Sequence, residues 1–344
     1  MATVPPLGKP GRLGTARRAT YNRRGGCMRI LFITATRIGD AVLSSGVLRH
    51  LITRHPGARV TIAAGRVCAP FFEAVPGLER LIEIDKKPLD LHWLGLWAAA
   101  VPRRWDLVVD LRASAIAYLL RADRRMVIGS RGQYGQQHRV EELASLLDLD
   151  APPPPTVWLA ARHVDTAARL IPDGSPVLAV GPAANWPGKQ WPAPRFVELV
   201  QRLTGPGGIL AGARLAVLAA AHERAQAQAV LEAVPAERRI DLAGAVDLPT
   251  AAACLRRCAL FVGNDSGLMH LAAAAGVPTL GLFGPSPDGR YRPWGPHAAF
   301  ARTRESSAEL LARHEAARGT ATDLMDGLSV STAVDAAEAL WRKV

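Results

Sequence analysis

The sequence has no apolar stretch long enough to cross a bilayer. Its longest, around Leu94 to Val101, falls far short of the roughly 20 residues a span requires. Cysteine is scarce: Cys27, Cys68, Cys254 and Cys258 are the only four, too few and too ill-spaced for a disulfide framework. Cys254 and Cys258 sit one helical turn apart with no histidine or further cysteine nearby, so a zinc set is not expected either. Aromatic residues make up only 6% of the chain and no stripe of basic and aromatic residues recurs, which argues against nucleic acid as a partner. No G-x-G-x-x-G follows a strand, no Walker A sequence is present and no serine lies in a G-x-S-x-G context. The lone Asp-x-Asp, Asp148-Leu-Asp150, ends a helix before a run of prolines and reads as surface rather than a metal site. These absences disfavour a dinucleotide oxidoreductase, a P-loop NTPase and a serine hydrolase. A reducing, cytoplasmic setting is expected.

What the chain does have is enough apolar sequence for two cores: 344 residues, 49% hydrophobic. The net charge of +12 is uneven. Residues Met1 to Cys27 carry Lys9, Arg12, Arg17, Arg18, Arg23 and Arg24 and no acid, with neither an apolar core nor helical periodicity. Residues 1–27 are therefore expected to be a basic, disordered leader or the product of an upstream start codon, rather than a signal peptide. Met28 directly precedes the first strand pattern. The remaining positive charge suits anionic substrates or an anionic membrane surface.

From Arg29 onward buried-strand patterns alternate with helical ones, as in a parallel sheet with helices on both faces. The first series (28–150) has strands near 29–35, 60–64, 81–84, 107–111 and 126–128, and a helix near 140–147. Asp150-Ala-Pro-Pro-Pro-Pro155 then interrupts all periodicity, and a stiff linker is expected over 151–156. Alternation resumes over 157–330, with strands at 177–180, 214–218, 260–262 and 279–283. A final helix, near 331–341 within 331–344, is expected to pack back on the first domain. The fold class is α/β: two doubly wound Rossmann-like domains facing a cleft, with ligands outside the carboxyl ends of the strands.

Four strand-end loops carry unusual residues. Phe261-Val-Gly-Asn-Asp-Ser-Gly-Leu-Met-His270 places a polar turn where a strand gives way to an Ala-rich helix ending at Gly276 and Pro278. Free backbone N–H groups and the helix dipole favour an anion there. Asp265 or Ser266 could equally be an ordinary N-cap, but His270 returns to the face of Ser266 one turn later. In Thr36-Arg-Ile-Gly-Asp40, Gly39 is read as permitting a tight turn. Asp40 either complements the dipole or serves as a general base. Lys189, the only cation of Gly181-Pro-Ala-Ala-Asn-Trp-Pro-Gly-Lys-Gln-Trp-Pro192, is either solvated or a phosphate contact. Glu223 either opens a helix or meets ribose hydroxyls.

Together these segments resemble the ADP-heptose:lipopolysaccharide heptosyltransferases, glycosyltransferase family 9, of GT-B fold. The resemblance runs from about Met28 to the C-terminus. It rests on Met28-Arg-Ile-Leu-Phe-Ile with Ile38-Gly-Asp40, on Trp186-Pro-Gly-Lys-Gln-Trp-Pro192, on Gly263-Asn-Asp-Ser-Gly-Leu-Met-His270, and on Leu282-Phe-Gly-Pro285 with Pro293-Trp-Gly295. It implies inverting, metal-independent transfer of a sugar, heptose from ADP-heptose, to a hydroxyl of a lipopolysaccharide core or related glycan. No cofactor is implied. Asp40 matches the family's base, Lys189 its diphosphate contact, and Asp265, Ser266, Gly267 and His270 line the nucleotide-sugar site. Asn185 and Glu223 are placed with the donor, and Arg37, Arg66 and Arg112 with an anionic, lipid-linked acceptor. The resemblance also allows peripheral contact with the inner face of the inner membrane. Asn185 stands where Ser or Thr is more usual, and Gly46 where many members have Pro. A binding protein or an epimerase of the same fold remains the competing reading.

Overall fold

The computed structural model describes residues 27–85, 91–129, 137–149, 151–321 and 323–344. The expected leader, apart from Cys27, and Asp150 of the Asp-x-Asp sequence lie outside them.

The first domain opens with β1 (Arg29–Ile33), α1 (Ile38–Arg54), β2 (Arg59–Gly65), β3 (Leu78–Ile84), α2 (His92–Ala100) and β4 (Trp105–Asp110). It ends with α3 (Ile116–Leu119), β5 (Ala122–Val127) and α4 (Arg139–Ala144). Its five strands are all parallel, in the order β3-β2-β1-β4-β5. Central strands covered on both faces must be apolar throughout, and Ile30 to Ile33 are fully buried.

Residues 151–160 then run without helix or strand. The second domain contains α5 (Ala161–Leu170), β6 (Val177–Gly181), α6 (Ala193–Thr204), β7 (Arg214–Val217), α7 (Arg224–Leu231) and β8 (Arg239–Asp241). After these come α8 (Leu248–Leu255), β9 (Leu260–Asn264), α9 (Gly267–Ala275), β10 (Thr279–Phe283) and α10 (Asp288–Tyr291). The chain closes with β11 (Ala298–Arg302), α11 (Ser307–Ala316) and α12 (Val330–Trp341). The second sheet is also wholly parallel, ordered β11-β10-β9-β6-β7-β8. The helix α9 stops where its sequence says it should: Gly276 takes a left-handed φ of 89° at the C-cap.

The two sheets are separate, but their cores are not. One apolar cluster continues from Val42 and Leu48 of α1 and Phe71 of the first domain to Leu255, Phe261 and Met269 of the second. Every residue of α1 from Ala41 to Leu48 is buried, the pattern of a helix covered all round rather than along one stripe. One flank lies on the first sheet, and the other meets α9 and the proline segment. Ser45 Oγ accepts the Thr156 N–H at 2.7 Å. A Cβ at Gly46 would run into the Pro153 carbonyl, so only glycine fits there.

The last helix corrects an expectation. Instead of returning to the first domain, α12 packs on α6, β10 and β11. Its apolar stripe, Ala333, Val334, Ala337 and Leu340, completes the core that holds Trp191 and Phe196. That face of the second sheet supplies an apolar partner matched to the stripe, so burial there removes it from water within its own domain.

Candidate functional site

Two helix N-termini meet where the domains touch. One opens α1, the other α9, and each follows a central strand of its sheet. Neither N-cap residue, Arg37 or Ser266, makes a side-chain capping bond. Ser266 Oγ has no hydrogen-bond partner among the described residues, so the capping alternative for Ser266 is not what the structure adopts. Uncapped N–H groups and the positive ends of two dipoles thus converge on one place, which favours an anion strongly.

The approach is close because two glycines permit it. A Cβ on Gly39 would stand 2.9 Å from His270 Cδ2, and one on Gly267 would stand 2.7 Å from Ile38 Cβ. Gly39 lies inside the first turn of α1, and it is not among the residues of positive φ. Its role is therefore clearance between helices, not the tight turn inferred from sequence.

Around this junction the structure gathers Asp40, Lys189, Asp265 and His270. Lys189 ends a short 3-10 turn, Pro187–Lys189, and its Nζ donates to Asp265 Oδ2 at 2.7 Å. Asp265 is 7% exposed and Lys189 26%. The loop carrying Lys189 is braced by the wholly buried Asn264. Its Oδ1 accepts the Trp191 N–H at 3.0 Å, and its Nδ2 donates to the Pro182 carbonyl at 2.7 Å. The Trp191 indole is buried and donates to the Leu328 carbonyl at 2.9 Å. Trp186 meets the His314 ring edge-on.

His270 Nε2 is 3.9 Å from Asp265 Oδ1, beyond hydrogen-bond reach. Burial pushes the imidazole pKa down to about 4 against the opposing pull of Asp265 and Asp40, so the contact joins a neutral ring to a carboxylate near pH 7. Asp40 is 28% exposed, with Arg139 Nε 3.8 Å from its Oδ1. The buried Cys68 thiol is pushed up to about 12 by burial and then by the charge of Asp40. It is no nucleophile. Cys254 and Cys258, raised to about 11 and about 12, are equally inert.

Other candidates share the carboxyl ends of the strands without joining this cluster. Arg37 and Asn185 are exposed. Arg66 leans toward Glu83 at 3.6 Å and Asp85 at 3.7 Å. Arg112 lies over the Trp93 ring, 4.9 Å from its centroid. The Glu223 carboxylate accepts the Ala220 N–H at 2.9 Å, a helix-opening role that leaves its other oxygen for a ligand. Among the described residues no group of three or more His, Cys, Asp or Glu is placed to hold a metal ion.

The helix expected near 140–147 is α4, and no functional role was read for it from the sequence. His138 caps it, with Nδ1 accepting the Val140 N–H at 3.1 Å and Nε2 donating to the Arg292 carbonyl of the second domain at 2.9 Å. The ring packs at a tilt of 39° against Trp294, centroids 4.6 Å apart. Glu142, 1% exposed, pairs with Arg139 at 2.7 Å and with Arg290. A polar i, i+3 pair opening a helix was the available signal, but it is also what solvated helices show.

Three comparisons bear on this arrangement. The sequence profile described as glycosyltransferase family 9 (heptosyltransferase) matches residues 111–318. The chain is 25% identical over 301 residues to lipopolysaccharide heptosyltransferase 2 of Salmonella typhimurium, covering 75% of this chain and 83% of that protein. To lipopolysaccharide heptosyltransferase 1 of Pseudomonas aeruginosa it is 29% identical over 299 residues, 76% of this chain and 80% of that one. Among solved structures, a family 9 glycosyl transferase from Veillonella parvula superposes with a TM-score of 0.76 at 20% identity, over 94% of this chain and 100% of that one. Escherichia coli ADP-heptose lps heptosyltransferase II gives 0.71 at 21% identity, over 92% and 99%.

Proposed function

The chain belongs to glycosyltransferase family 9, and from that premise we propose that it transfers heptose from ADP-heptose to a hydroxyl of a lipopolysaccharide core glycan, with inversion and without a metal. The observation that carries this reading is the junction itself. One domain supplies a carboxylate, Asp40, and the other a cation and an uncapped helix end, Lys189 and α9, at a meeting point of two positive dipoles.

Breaking the anomeric C–O bond builds positive charge on the sugar and negative charge on the departing diphosphate. Lys189 and the N–H groups of α9 stabilise that leaving group. Asp40 takes the acceptor proton as the hydroxyl attacks from the opposite face, which inverts the anomeric centre. Neutral His270 packs the junction and can donate or accept a hydrogen bond without adding charge. Heptose and its ADP carrier are drawn from what the relatives are named for, and so is the lipopolysaccharide acceptor.

Contact with the cytoplasmic face of the inner membrane is part of the proposal. No helix of the described residues is long and apolar enough to cross a membrane. The helix α2, His92-Trp-Leu-Gly-Leu-Trp-Ala-Ala-Ala100, carries no acidic or basic residue other than His92. Leu91 at its N-cap and Leu94 within it, with Tyr118 and Leu119 of α3, are more than half exposed. Such a surface on the acceptor domain suits the interface of a lipid-linked substrate.

The test is a donor screen with ADP-, UDP- and GDP-sugars, read by thermal shift and then by transfer. ADP-heptose is expected to stabilise the protein by about 2.7 kcal/mol at a hundredfold excess over Kd. Product configuration by NMR and activity in chelator test inversion and metal independence. Stabilisation by another nucleotide sugar and not by ADP-heptose refutes the donor assignment.

A further inference from the structure

The short helix α4 holds more charge than its burial would ordinarily allow. Glu142 is 1% exposed, and its two oxygens are taken by different arginines. Oε1 forms an ion pair with Arg139 Nη1 at 2.7 Å, and Oε2 accepts from Arg290 Nη2. Arg139 belongs to the first domain and Arg290 to the second, each largely buried at 14% and 17% exposed. One cation would balance the carboxylate. Two leave a positive surplus, and the surplus has a direction: Arg139 Nε is buried without a hydrogen-bond acceptor among the described residues and lies 3.8 Å from Asp40 Oδ1.

The charges therefore alternate along a line from one domain into the other, Arg290, Glu142, Arg139, Asp40. Two neighbours of Asp40 from other elements carry no charge to orient it. His270, from α9, is a neutral imidazole, and Cys68, after β2, is an un-ionised thiol. His138, one residue before Arg139, fastens the same turn to the second domain through the Arg292 carbonyl and Trp294. The geometry of α4 is thus set by the docked partner domain, and its one unsatisfied donor faces the carboxylate assigned as base.

We infer that Arg139 is a positioning residue for Asp40, and that Glu142, clamped by Arg290, makes this positioning depend on docking of the second domain. The inference rests on the reading of Asp40 as base. With the domains apart, Glu142 loses Arg290 and holds Arg139 alone, drawing the guanidinium toward itself with both oxygens. On docking, Arg290 takes Oε2, and Arg139 is shared between Glu142 and Asp40. The base is then oriented only when the donor-carrying domain is in place, as expected where closure completes a catalytic set.

The experiment compares Arg139→Ala, Arg290→Gln, their combination and Asp40→Asn in the full chain. Transfer is assayed with ADP-heptose and lipopolysaccharide lacking its core heptose, and donor Kd is measured by calorimetry. Arg139→Ala is expected to lower kcat by about 10- to 100-fold, the scale of a misplaced reacting group, with donor Kd within about twofold. Millimolar guanidinium, far below denaturing concentration, should restore part of that kcat in Arg139→Ala and none in Asp40→Asn. Arg290→Gln should also lower kcat, and combining it with Arg139→Ala should add little, because both act through one chain of contacts. Wild-type kcat in Arg139→Ala overturns the inference, as does a loss that guanidinium leaves unchanged. Full activity in Asp40→Asn overturns the base assignment and the inference with it. An inactive Asp40→Asn beside a fully active Arg139→Ala overturns the inference alone.

Discussion

Lys189→Ala offers a sharp test of the leaving-group site, because the ion pair with Asp265 makes two distinct losses calculable. The first is structural. Asp265 is 7% exposed and would be left facing a neutral imidazole 3.9 Å away. Breaking a buried pair by removing one partner costs about 3–5 kcal/mol, and the lower end applies because the lysine is 26% exposed. A melting temperature lowered accordingly is expected. The second loss is catalytic: removing one donor to developing negative charge costs about 2–4 kcal/mol, or roughly 30- to 1000-fold in kcat/KM. Both KM for the donor and kcat should suffer, since the diphosphate is held before transfer and more tightly during it.

The two losses separate in the Asp265→Asn background, where no buried carboxylate needs a cation. There Lys189→Ala should no longer lower the melting temperature, yet should still lower kcat/KM by about the same factor. The assay is ADP release over a range of ADP-heptose concentrations, beside a thermal melt of each of the four proteins. Should Lys189→Ala cost no activity in the Asp265→Asn background, the lysine serves only to neutralise Asp265, and the diphosphate assignment fails.

Asp40→Asn should lower kcat by about 10²- to 10⁴-fold while leaving donor Kd near wild type, since Asn keeps the size of the side chain and loses the proton acceptor; ordinary turnover would reduce Asp40 to a helix-dipole partner. Gly39→Ala should gain about 1 kcal/mol of helix propensity, yet its Cβ meets His270 at 2.9 Å and must part the helices. A kcat at least about tenfold lower is expected, and unchanged kinetics would show that the close approach is dispensable. Burial depresses the His270 pKa from 6.5 to about 4, so the folded state resists a proton that the unfolded chain accepts. The stabilisation is complete above pH 6.5 and is lost as pH falls from there through about 4. It amounts to roughly 3 kcal/mol, and the slope should flatten in His270→Gln when stability is titrated with urea across that window.

Much of the candidate site was legible in the sequence because its chemistry is local. A strand that ends in Asn-Asp-Ser-Gly and gives way to Leu-Met-His-Leu-Ala-Ala-Ala states its own turn, helix start and helix stop, and α9 runs from Gly267 to Ala275 with Gly276 as its left-handed cap. Elements with weak local signals were missed. The edge strands β8 and β11 are short or partly exposed, without the apolar run of a central strand. The amphipathic α5, which follows the proline segment, has no place in the sequence reading either.

The sequence by itself determined the two alternating α/β series, the proline segment between them, and the strand-end residues Asp40, Lys189, Asp265 and His270. Each follows from periodicity, punctuation or residue type within a dozen positions. Only the tertiary structure decided how these meet. That α12 stays on the second domain depends on which sheet face is left uncovered. Gly39 gives clearance for His270 across 231 residues of chain, which no local pattern can express. The placing of Glu142 between Arg139 and Arg290 is likewise a property of the docked domains: burial of a carboxylate is tolerable only where two separate parts of the chain bring their cations to it.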